Sequence, residues 1–402
     1  MTVKMVKKIL CTALVAISLG VFTGCSANQQ ADKEQEEKTA QDAAQEAGED
    51  QEAANDANME THKIGVILYG RDDNMGAAIY SYLNHAAEVL GNVELVWDIG
   101  AFDVDAQISS TQNLIAAGCK GIICLPMSDD TVAQMADICE QSNVYFSLMF
   151  RDITDETIKT DVYENPYFLG FVREDDKTVA KAMVKELSDA GVTHMGVQIM
   201  PSGNPLSVRN DGMYEGAQEY GITIDSEFPV TSSGDVNGNN TYIQNTLDSY
   251  PDVQAIYLTS ASIGLGEGAA NLLSGLSDPG SVKLASFDVF DGMSEAFDEG
   301  ILVCAAGGVN PDVLFSFMVL YNAVDGNRLS EDVTELYQNF LLVTSSEECS
   351  LFEKYVGNTD YQIYTDEQIK NLAVRFNPDV TLEDYRALME LYSIEWLQEN
   401  EH

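Results

Sequence analysis

The stretch IGVILYGRDDNMGAAIYSYLNHAAEVLGNVELVW, residues 64–97, decides the fold of this chain. It opens with an apolar run at residues 64–69 and closes with a second apolar run at residues 93–97. Between the two runs, apolar side chains recur at helical spacing: Ala77, Ile79, Tyr80, Leu83, Ala86, Ala87 and Leu90. This order predicts a strand, a crossover helix and a second, parallel strand.

The same unit repeats along the chain. Further apolar runs stand at residues 121–125, 144–149, 195–200, 253–259 and 282–287, and a second helical pattern covers residues 269–276. We expect eight or so strands in parallel sheets. Roughly 280 residues with this pattern exceed one comfortable core. The sequence therefore predicts an α/β fold with two doubly wound, Rossmann-like lobes.

The N-terminal segment has the order of a bacterial lipoprotein signal. Lys4, Lys7 and Lys8 precede a mostly apolar stretch that is too short to span a bilayer comfortably. Phe22-Thr-Gly-Cys25 then resembles a lipobox. We expect a signal peptide over residues 1–24, lipid attachment at Cys25 and a mature chain on the extracytoplasmic face of the cell membrane. Because a lipobox usually has leucine where Phe22 stands, an uncleaved anchor or plain secretion remains an alternative.

Residues 26–60 contain eleven acidic residues, two lysines and no aromatic or branched aliphatic residue. This composition predicts a disordered acidic tether over residues 25–60, with a helical stalk as the alternative. The formal net charge of −44 becomes −47 when the three lysines of the signal are removed. Such a charge excludes nucleic acid as a partner.

Beyond Cys25 the chain holds an odd number of cysteines, and their spacing fits neither a disulfide framework nor a zinc ribbon. They are Cys119, Cys124, Cys139, Cys304 and Cys349, and the chain has only four scattered histidines. We interpret most of these cysteines as small core residues and expect no metal site and no cofactor.

Several motifs stand in the order and spacing of one known family. They are residues 103–107 followed by LIAAGCKGIICLP at residues 114–126, Phe150-Arg151-Asp152, Arg209-Asn-Asp-Gly212-Met213, Ser286-Phe287-Asp288 and residues 302–311. Together they resemble the type I periplasmic solute-binding proteins, particularly the ribose and galactose branch of the sugar ABC importers. The resemblance covers about residues 62–345.

The resemblance implies three crossings between the lobes, near Glu174, Asn310 and Phe340. An N-terminal lobe would then contain residues 61–174 and 310–339, and a C-terminal lobe residues 175–309 and 340–360. It also implies a monomer that captures a small polar ligand, most often a sugar in this family, between the lobes. The ligand would pass to the permease subunits of an ATP-driven importer, without catalysis. A ligand sensor that presents its closed form to a membrane receptor is the alternative.

The resemblance also implies the binding residues. Arg151 and Arg209 can each fork two hydrogen bonds to hydroxyls or a carboxylate, and Asp288 can accept hydrogen bonds from hydroxyls or an amine. Competing interpretations are a surface position for Arg209, a salt bridge from Arg151 to Asp152 or Asp155, and loop capping by Asp288. The full expected set is Tyr69, Asp73, Phe150, Arg151, Glu174, Arg209, Ser260 and Asp288.

The chain departs from the sugar binders at several of these positions. Asp73, Asn74, Met75 and Gly76 stand where they carry Asn-Pro and an aromatic pair. An asparagine, an Asn-Asp pair and a glutamine are replaced by Leu125, Ser260-Ala261 and Val309. Tyr69, Phe150 and Phe287 are candidates for the missing aromatic face. The departures leave the identity of the ligand open.

The chain continues past the family's usual end, into a predicted helical extension at residues 361–402. Thr365 with Gln368, and Thr381 with Asp384, have the spacing of helix-capping pairs. An apolar stripe predicts one last helix that covers its own lobe or, as the alternative, docks a membrane partner: Leu382, Tyr385, Leu388, Met389, Tyr392 and Trp396.

The sequence gives little support for calcium binding or for hydrolysis. Residues 235–239 resemble the start of a calcium loop, but Asn240 and Thr246 replace its glycine and its glutamate, so we interpret the segment as a polar loop. A hydrolase is disfavoured because the sequence has no Gly-x-Ser-x-Gly elbow and no histidine beside a candidate nucleophile.

Overall fold

The structure is a computed structural model that describes residues 60–101, 103–201, 205–231 and 234–399. These residues form two α/β lobes followed by a helical C-terminal region, which confirms the predicted fold class. The predicted signal peptide, Cys25 and nearly all of the predicted tether lie outside the described residues.

The N-terminal lobe is built on a parallel sheet of six strands. Its elements are β1 (His62–Leu68), α1 (Asn74–Leu90), β2 (Val93–Ile99), α2 (Val104–Ala116), β3 (Gly121–Cys124), α3 (Asp129–Ser142), β4 (Tyr145–Met149), α4 (Glu156–Tyr163), β5 (Phe168–Glu174), and, from later in the chain, α10 (Val313–Val324) and β11 (Thr334–Gln338). The strand order is β2-β1-β3-β4-β5-β11, and each neighbouring pair is parallel.

The C-terminal lobe repeats this plan. Its elements are α5 (Asp176–Asp189), β6 (His194–Ile199), α6 (Val208–Tyr220), β7 (Thr223–Pro229), α7 (Val236–Ser249), β8 (Ala255–Leu258), α8 (Leu265–Ser274), β9 (Lys283–Phe287), α9 (Met293–Asp298), β10 (Leu302–Gly307) and β12 (Leu341–Val343). The strand order is β7-β6-β8-β9-β10-β12. Because β12 is antiparallel to β10, this second sheet is mixed rather than purely parallel.

The described residues contain twelve strands, more than the eight or so expected. Every predicted apolar run coincides with a strand, whereas β5, β7, β11 and β12 were not predicted. β7 is an edge strand in which Phe228 is the one buried residue, so it carries no alternating pattern. The segment at residues 235–239, interpreted as a polar loop, instead begins helix α7, which Asp235 caps by accepting a hydrogen bond from the Gly238 N–H.

Three segments pass between the lobes. They join β5 to α5, β10 to α10 and β11 to β12. The second contains a 3₁₀ turn, Asn310–Asp312. Since parallel strands in both sheets end beside these crossings, the carboxyl ends of the two sheets border one cleft.

Three apolar clusters form the cores. One lies within the N-terminal lobe and one within the C-terminal lobe. The third is continuous across both lobes and the C-terminal region: it includes Ile64 and Leu83 of the first lobe, Ile256 of the second, and Tyr364 and Tyr385 of the extension. The two lobes therefore share one buried apolar cluster.

The C-terminal region contains four helices: α11 (Ser346–Tyr355), α12 (Asp366–Asn371), α13 (Leu382–Glu390) and α14 (Ile394–Glu399). Both predicted capping pairs are formed, at Thr365 and at Thr381. The single last helix was a wrong prediction, because the stripe is divided between α13 and α14. Ser393 accepts a hydrogen bond from the Trp396 N–H at 3.1 Å, which starts a new helix.

The C-terminal region contacts both lobes. Toward the N-terminal lobe, Gln362 donates to Ser81 at 2.9 Å and Asp366 lies 3.0 Å from His85, both on α1. Toward the C-terminal lobe, α14 packs on α11 and β12. Tyr392 is buried and donates to the Gly308 carbonyl at 2.6 Å, at the second crossing. The region thus spans the junction of the lobes.

The five described cysteines are free and buried, which confirms their interpretation as core residues. Burial raises the pKa of Cys139 to about 12, so its thiol stays protonated. No helix in the described part of the chain is long and apolar enough to cross a membrane.

Candidate functional site

Two strained turns mark the carboxyl ends of equivalent strands in the two lobes. Phe150 follows β4 and Asp288 follows β9, with left-handed φ angles of 60° and 66°. The Phe150 N–H donates to the Val172 carbonyl at 2.8 Å, and the Asp288 N–H donates to the Ala306 carbonyl at 2.9 Å. This conformation costs a non-glycine residue about 1–2 kcal/mol. Tertiary contacts must therefore hold both turns, as is common where ligands bind.

Arg209 is held from several sides, and only 6% of its surface is exposed. Its Nε donates to Asp176 at 2.7 Å and its NH1 donates to the Thr259 carbonyl at 2.9 Å. The guanidinium carbon lies 4.2 Å from the centre of the Phe287 ring. Burial alone would lower the pKa of Arg209, but the neighbouring carboxylates outweigh burial and raise it. Arg209 is thus a fixed, permanently charged group rather than a solvated surface arginine.

Gly212 gives a physical reason for the Arg-x-x-Gly pattern. A Cβ atom at Gly212 would collide with the Lys177 carbonyl oxygen and stand 2.8 Å from the Ala180 Cβ. Only glycine therefore lets α6 approach α5 this closely. That approach places Arg209, at the start of α6, against Asp176, at the start of α5.

A chain of alternating charges crosses from one lobe to the other. Arg173 lies 2.7 Å from Asp152 and 2.7 Å from Asp176. Asp176 also pairs with Arg209 at 2.7 Å, and Arg209 lies 3.7 Å from Asp288. Because Arg173 belongs to β5 and Asp176 to α5, the first crossing runs through this ion-pair chain.

Arg151 is the arginine with hydrogen-bonding capacity to spare. Its NH1 donates to the Phe150 carbonyl at 2.7 Å. The alternative salt bridges are not formed, since Asp152 pairs with Arg173 and Asp155 caps α4. Burial lowers the pKa of Arg151, and nearby Glu174 opposes this shift. The Arg151 charge also acts on Tyr69 and Arg209, so Arg151 lies within electrostatic range of the other candidate groups.

The remaining candidates form two small groups. Tyr69 donates to the Asp73 carboxylate at 2.8 Å, and burial with that hydrogen bond raises the pKa of Tyr69. Asp73 also caps α1 by accepting from the Gly76 N–H at 2.7 Å. In the C-terminal lobe, Ser260 donates to Asp288 at 3.0 Å. Asp73 is thus largely committed within the protein, whereas Asp288, with 34% of its side chain exposed, can still accept hydrogen bonds.

Glu174 is buried at the end of β5, with 5% of its surface exposed. Burial, reinforced by Asp176, raises its pKa to about 7. Its neighbours include Asp312 of the second crossing as well as Arg151 and Arg209. Glu174 therefore belongs to the junction of the lobes as much as to the cleft.

The three aromatic side chains considered for stacking are differently placed. Phe150 and Phe287 are 2% and 0% exposed and belong to the cores, and Phe287 lies against Arg209. Tyr69 is partly exposed. Apolar side chains that are exposed beyond strand ends are Met127, Ile263 and Val289. Of the three stacking candidates, only Tyr69 is therefore partly exposed.

Sequence reasoning missed Arg173, Asp176, Gln198 and Asp312. Gln198 is fully buried and accepts from the Ser260 N–H at 3.0 Å, which fixes the loop that carries Ser260. The signal for the first two residues was the charged run Arg173-Glu-Asp-Asp176 directly after an apolar segment, which implies buried ion pairs. Within the described ranges, no group of three or more His, Cys, Asp or Glu side chains could hold a metal ion.

Two α/β lobes with polar groups at their facing strand ends define a two-lobed binding protein of the periplasmic type I fold. Residues 64–327 match the family model described as "Periplasmic binding protein domain". The chain therefore belongs to the periplasmic binding protein family. No curated protein sequence matches it.

Solved structures of low sequence identity share the fold. A periplasmic ribose ABC transporter protein from Conexibacter woesei is 15% identical, with a TM-score of 0.62 over 75% of this chain and 98% of that chain. A solute-binding protein from Agrobacterium vitis, bound to α-D-tagatopyranose, is 15% identical, with a TM-score of 0.59 over 75% and 100%. One from Bacillus halodurans, bound to myo-inositol, is 17% identical, with a TM-score of 0.59 over 73% and 98%.

Proposed function

We propose that this protein is the extracytoplasmic solute-binding component of an ABC importer and captures a sugar or similar polyhydroxyl ligand between its lobes. The observation that carries the proposal is the convergence of Arg151 of one lobe with Arg209, Ser260 and Asp288 of the other at the strand ends that border the cleft. Family membership supports the proposal, and so do the sugars and polyols named for the structural neighbours.

The charge balance of the site favours a neutral ligand. Around Arg151, Arg173 and Arg209 lie five carboxyl groups: Asp152, Glu174, Asp176, Asp288 and Asp312. An anionic ligand would meet uncompensated negative charge. Hydroxyl groups instead can accept from Arg151 and donate to Asp288, so one ligand type uses both lobes.

A thermal-shift screen tests this proposal. The purified protein is heated with monosaccharides, disaccharides, polyols, nucleosides or amino acids. A true ligand at about 100 times its Kd stabilises the folded state by about 2.7 kcal/mol and raises the melting temperature. We expect shifts among the sugars and polyols. Shifts confined to amino acids or nucleosides would contradict the proposed ligand class.

The proposal includes a lipid anchor at Cys25 and delivery of the ligand to permease subunits by a monomer. Labelling cells with a radioactive fatty acid tests the anchor, because the thiol of Cys25 is the expected site of acylation. We expect the label in the wild-type protein and not in Cys25→Ser. Cys349→Ser serves as the control because that thiol is buried in the described body. Equal labelling of the Cys25→Ser variant would reject the anchor.

A further inference from the structure

Besides the ion-pair chain at the first crossing, each crossing between the lobes carries a buried polar side chain. Glu174 ends β5 at the first crossing, Asp312 lies in the second and Gln338 ends β11 at the third. Their exposed fractions are 5%, 0% and 0%. Glu174 and Gln338 are partners in the parallel register of β5 and β11, and the Asp175 N–H donates to the Gln338 carbonyl at 3.1 Å. The three crossings therefore meet around these side chains.

Asp312 lacks a conventional hydrogen-bond donor. Among the described residues, no N–H or alcohol group donates to either of its buried carboxylate oxygens. The carboxyl group of Glu174, at the end of the strand that contacts the 3₁₀ turn, can form a hydrogen bond with Asp312 once one of the two groups is protonated. Two carboxylates in contact in a buried site cannot both be ionised without a large electrostatic cost. One proton between them removes that cost and supplies the missing donor.

Charged and titratable groups from several packed elements surround the pair. Glu174 faces Asp176 of α5, Arg209 of α6 and Arg151 beyond β4. Asp312 faces Arg151, and its charge acts on Tyr364 and Tyr392 of the C-terminal region. Tyr364 accepts from Gln338 at 3.3 Å and Tyr392 donates to Gly308. Arg151 is thus the cation that both acids share.

We propose that Glu174 and Asp312 share a proton at the junction of the lobes and thereby position Arg151 for the ligand. With the proton present, the pair carries at most one negative charge and leaves the free donors of Arg151 to the cleft. Loss of the proton leaves two buried negative charges, which draw the Arg151 guanidinium toward the junction. Glu174 and Asp312 act through Arg151, so both are positioning residues. The positioning of Arg151 for a ligand rests on the proposed function, whereas the shared proton does not.

The pair also makes stability depend on pH without any ligand. Burial raises the pKa of Glu174 to about 7 and that of Asp312 well above its usual range; the Asp176 charge adds to the first shift and the Glu174 charge adds to the second. In the unfolded chain both groups lose their protons near pH 4. Between these values the folded state binds more protons, so the stability contributed by the pair falls as pH rises from about 4.5 through 7.

Infrared spectroscopy of the full ligand-free protein tests the shared proton directly. We expect the C=O band of a protonated carboxyl group at pH 7.5 in the wild type, an altered band in Asp312→Asn and in Glu174→Gln, and loss of the band when both residues are replaced. Glu367→Gln, at an exposed position of α12, is the matched control and should keep the band. In urea unfolding, the free energy of unfolding should decline less between pH 5 and pH 8 in Asp312→Asn and Glu174→Gln than in the wild type. Absence of the band in the folded wild type would overturn the proposal.

Ligand titration tests the positioning role. The probe is the sugar with the largest thermal shift, or myo-inositol if no sugar shifts the melting temperature. We expect wild-type affinity to fall about tenfold from pH 6 to pH 9, equivalent to one unit of pKa linkage, and Asp312→Asn to change less than twofold. Identical pH profiles would overturn the positioning role. If no probe binds, the proposed function fails, while the infrared result still decides whether the proton is shared.

Discussion

At the scale of single residues, the site depends on side chains that neutralise one another before any ligand arrives. Asp176 receives Arg173 and Arg209, and Arg209 in turn approaches Asp288. Such a buried chain fixes geometry, but removing one member leaves its partners with uncompensated charge. A substitution here should therefore change both ligand affinity and stability, and the two effects can be measured separately.

Replacing Arg209 tests this dual role. In Arg209→Ala we expect the ligand found in the thermal screen to bind at least about 1.5 kcal/mol more weakly, because a charge-assisted hydrogen bond is lost. We also expect the free energy of unfolding to fall by about 3 kcal/mol, because buried Asp176 loses one partner but keeps Arg173. Calorimetric titration and urea unfolding measure the two effects.

The control for this substitution is Arg386→Ala, which removes an exposed arginine paired with Glu383. We expect that variant to bind the ligand like the wild type, since exposed ion pairs contribute little. Unchanged affinity in Arg209→Ala would remove Arg209 from the binding site. An unchanged free energy of unfolding would instead show that the ion-pair chain contributes no net stability to the folded state.

At the scale of secondary structure elements, β11 comes from a later part of the chain and packs closely against the strands that the earlier part supplies to the N-terminal lobe. It adds to the edge of β5, where Gly170 faces Thr334. Gly170 has φ 126°, and a Cβ atom there would collide with the Thr334 carbonyl oxygen. Gly170 is therefore needed both for its backbone conformation and for the close approach of β11.

Gly170→Ala should reduce the free energy of unfolding by about 3 kcal/mol or more, because it combines backbone strain with overpacking. Gly191→Ala is the matched control: Gly191 has φ 86°, and nothing lies within 4 Å of the added Cβ atom. That control should lose only about 1 kcal/mol from strain. Urea unfolding of both variants gives the comparison. Equal losses would show that the collision with β11 is relieved at no cost.

The elements also show how far sequence patterns reach. The apolar runs predicted seven strands: six of them are mostly buried, and β2 is only partly buried but still rich in apolar residues. The capping pairs predicted the starts of α12 and α13. β5 was missed although it is buried throughout, because it ends in the charged residues Arg173 and Glu174, and one of the ion-pair partners of Arg173, Asp152, comes from another segment of the chain. The binding-site residues show the same difference between local patterns and long-range contacts. Arg209 and Asp288 stand in a local motif, whereas Asp312 gains its role only where three crossings meet.

At the scale of the whole molecule, the apolar cluster that spans both lobes and the C-terminal region joins them into one unit of stability. Tyr364, Tyr385 and Tyr392 of that region are each no more than 2% exposed. Removing them would uncover large apolar surfaces in both lobes. The lobes should therefore not unfold independently.

Equilibrium unfolding in urea tests this unity. We expect fluorescence of Trp97 in the N-terminal lobe and Trp396 in α14 to change at the same urea concentration as the far-ultraviolet circular dichroism. In Tyr385→Ala we expect a loss of about 3–5 kcal/mol, with the transitions still coincident. Two separate transitions in the wild type would contradict a shared core.

The position of β11 has a consequence for the nascent chain. The edge of β5 stays unpaired until residue 338 has been synthesised, after nearly the whole C-terminal lobe. The tyrosines that close the shared core come later still. An N-terminal lobe emerging from the ribosome therefore exposes a sheet edge that invites mispairing, and it should depend on a chaperone that holds it unfolded. For a protein with the proposed extracytoplasmic role, we expect this late completion of the first lobe to favour an incompletely folded chain, the form that a translocation channel accepts.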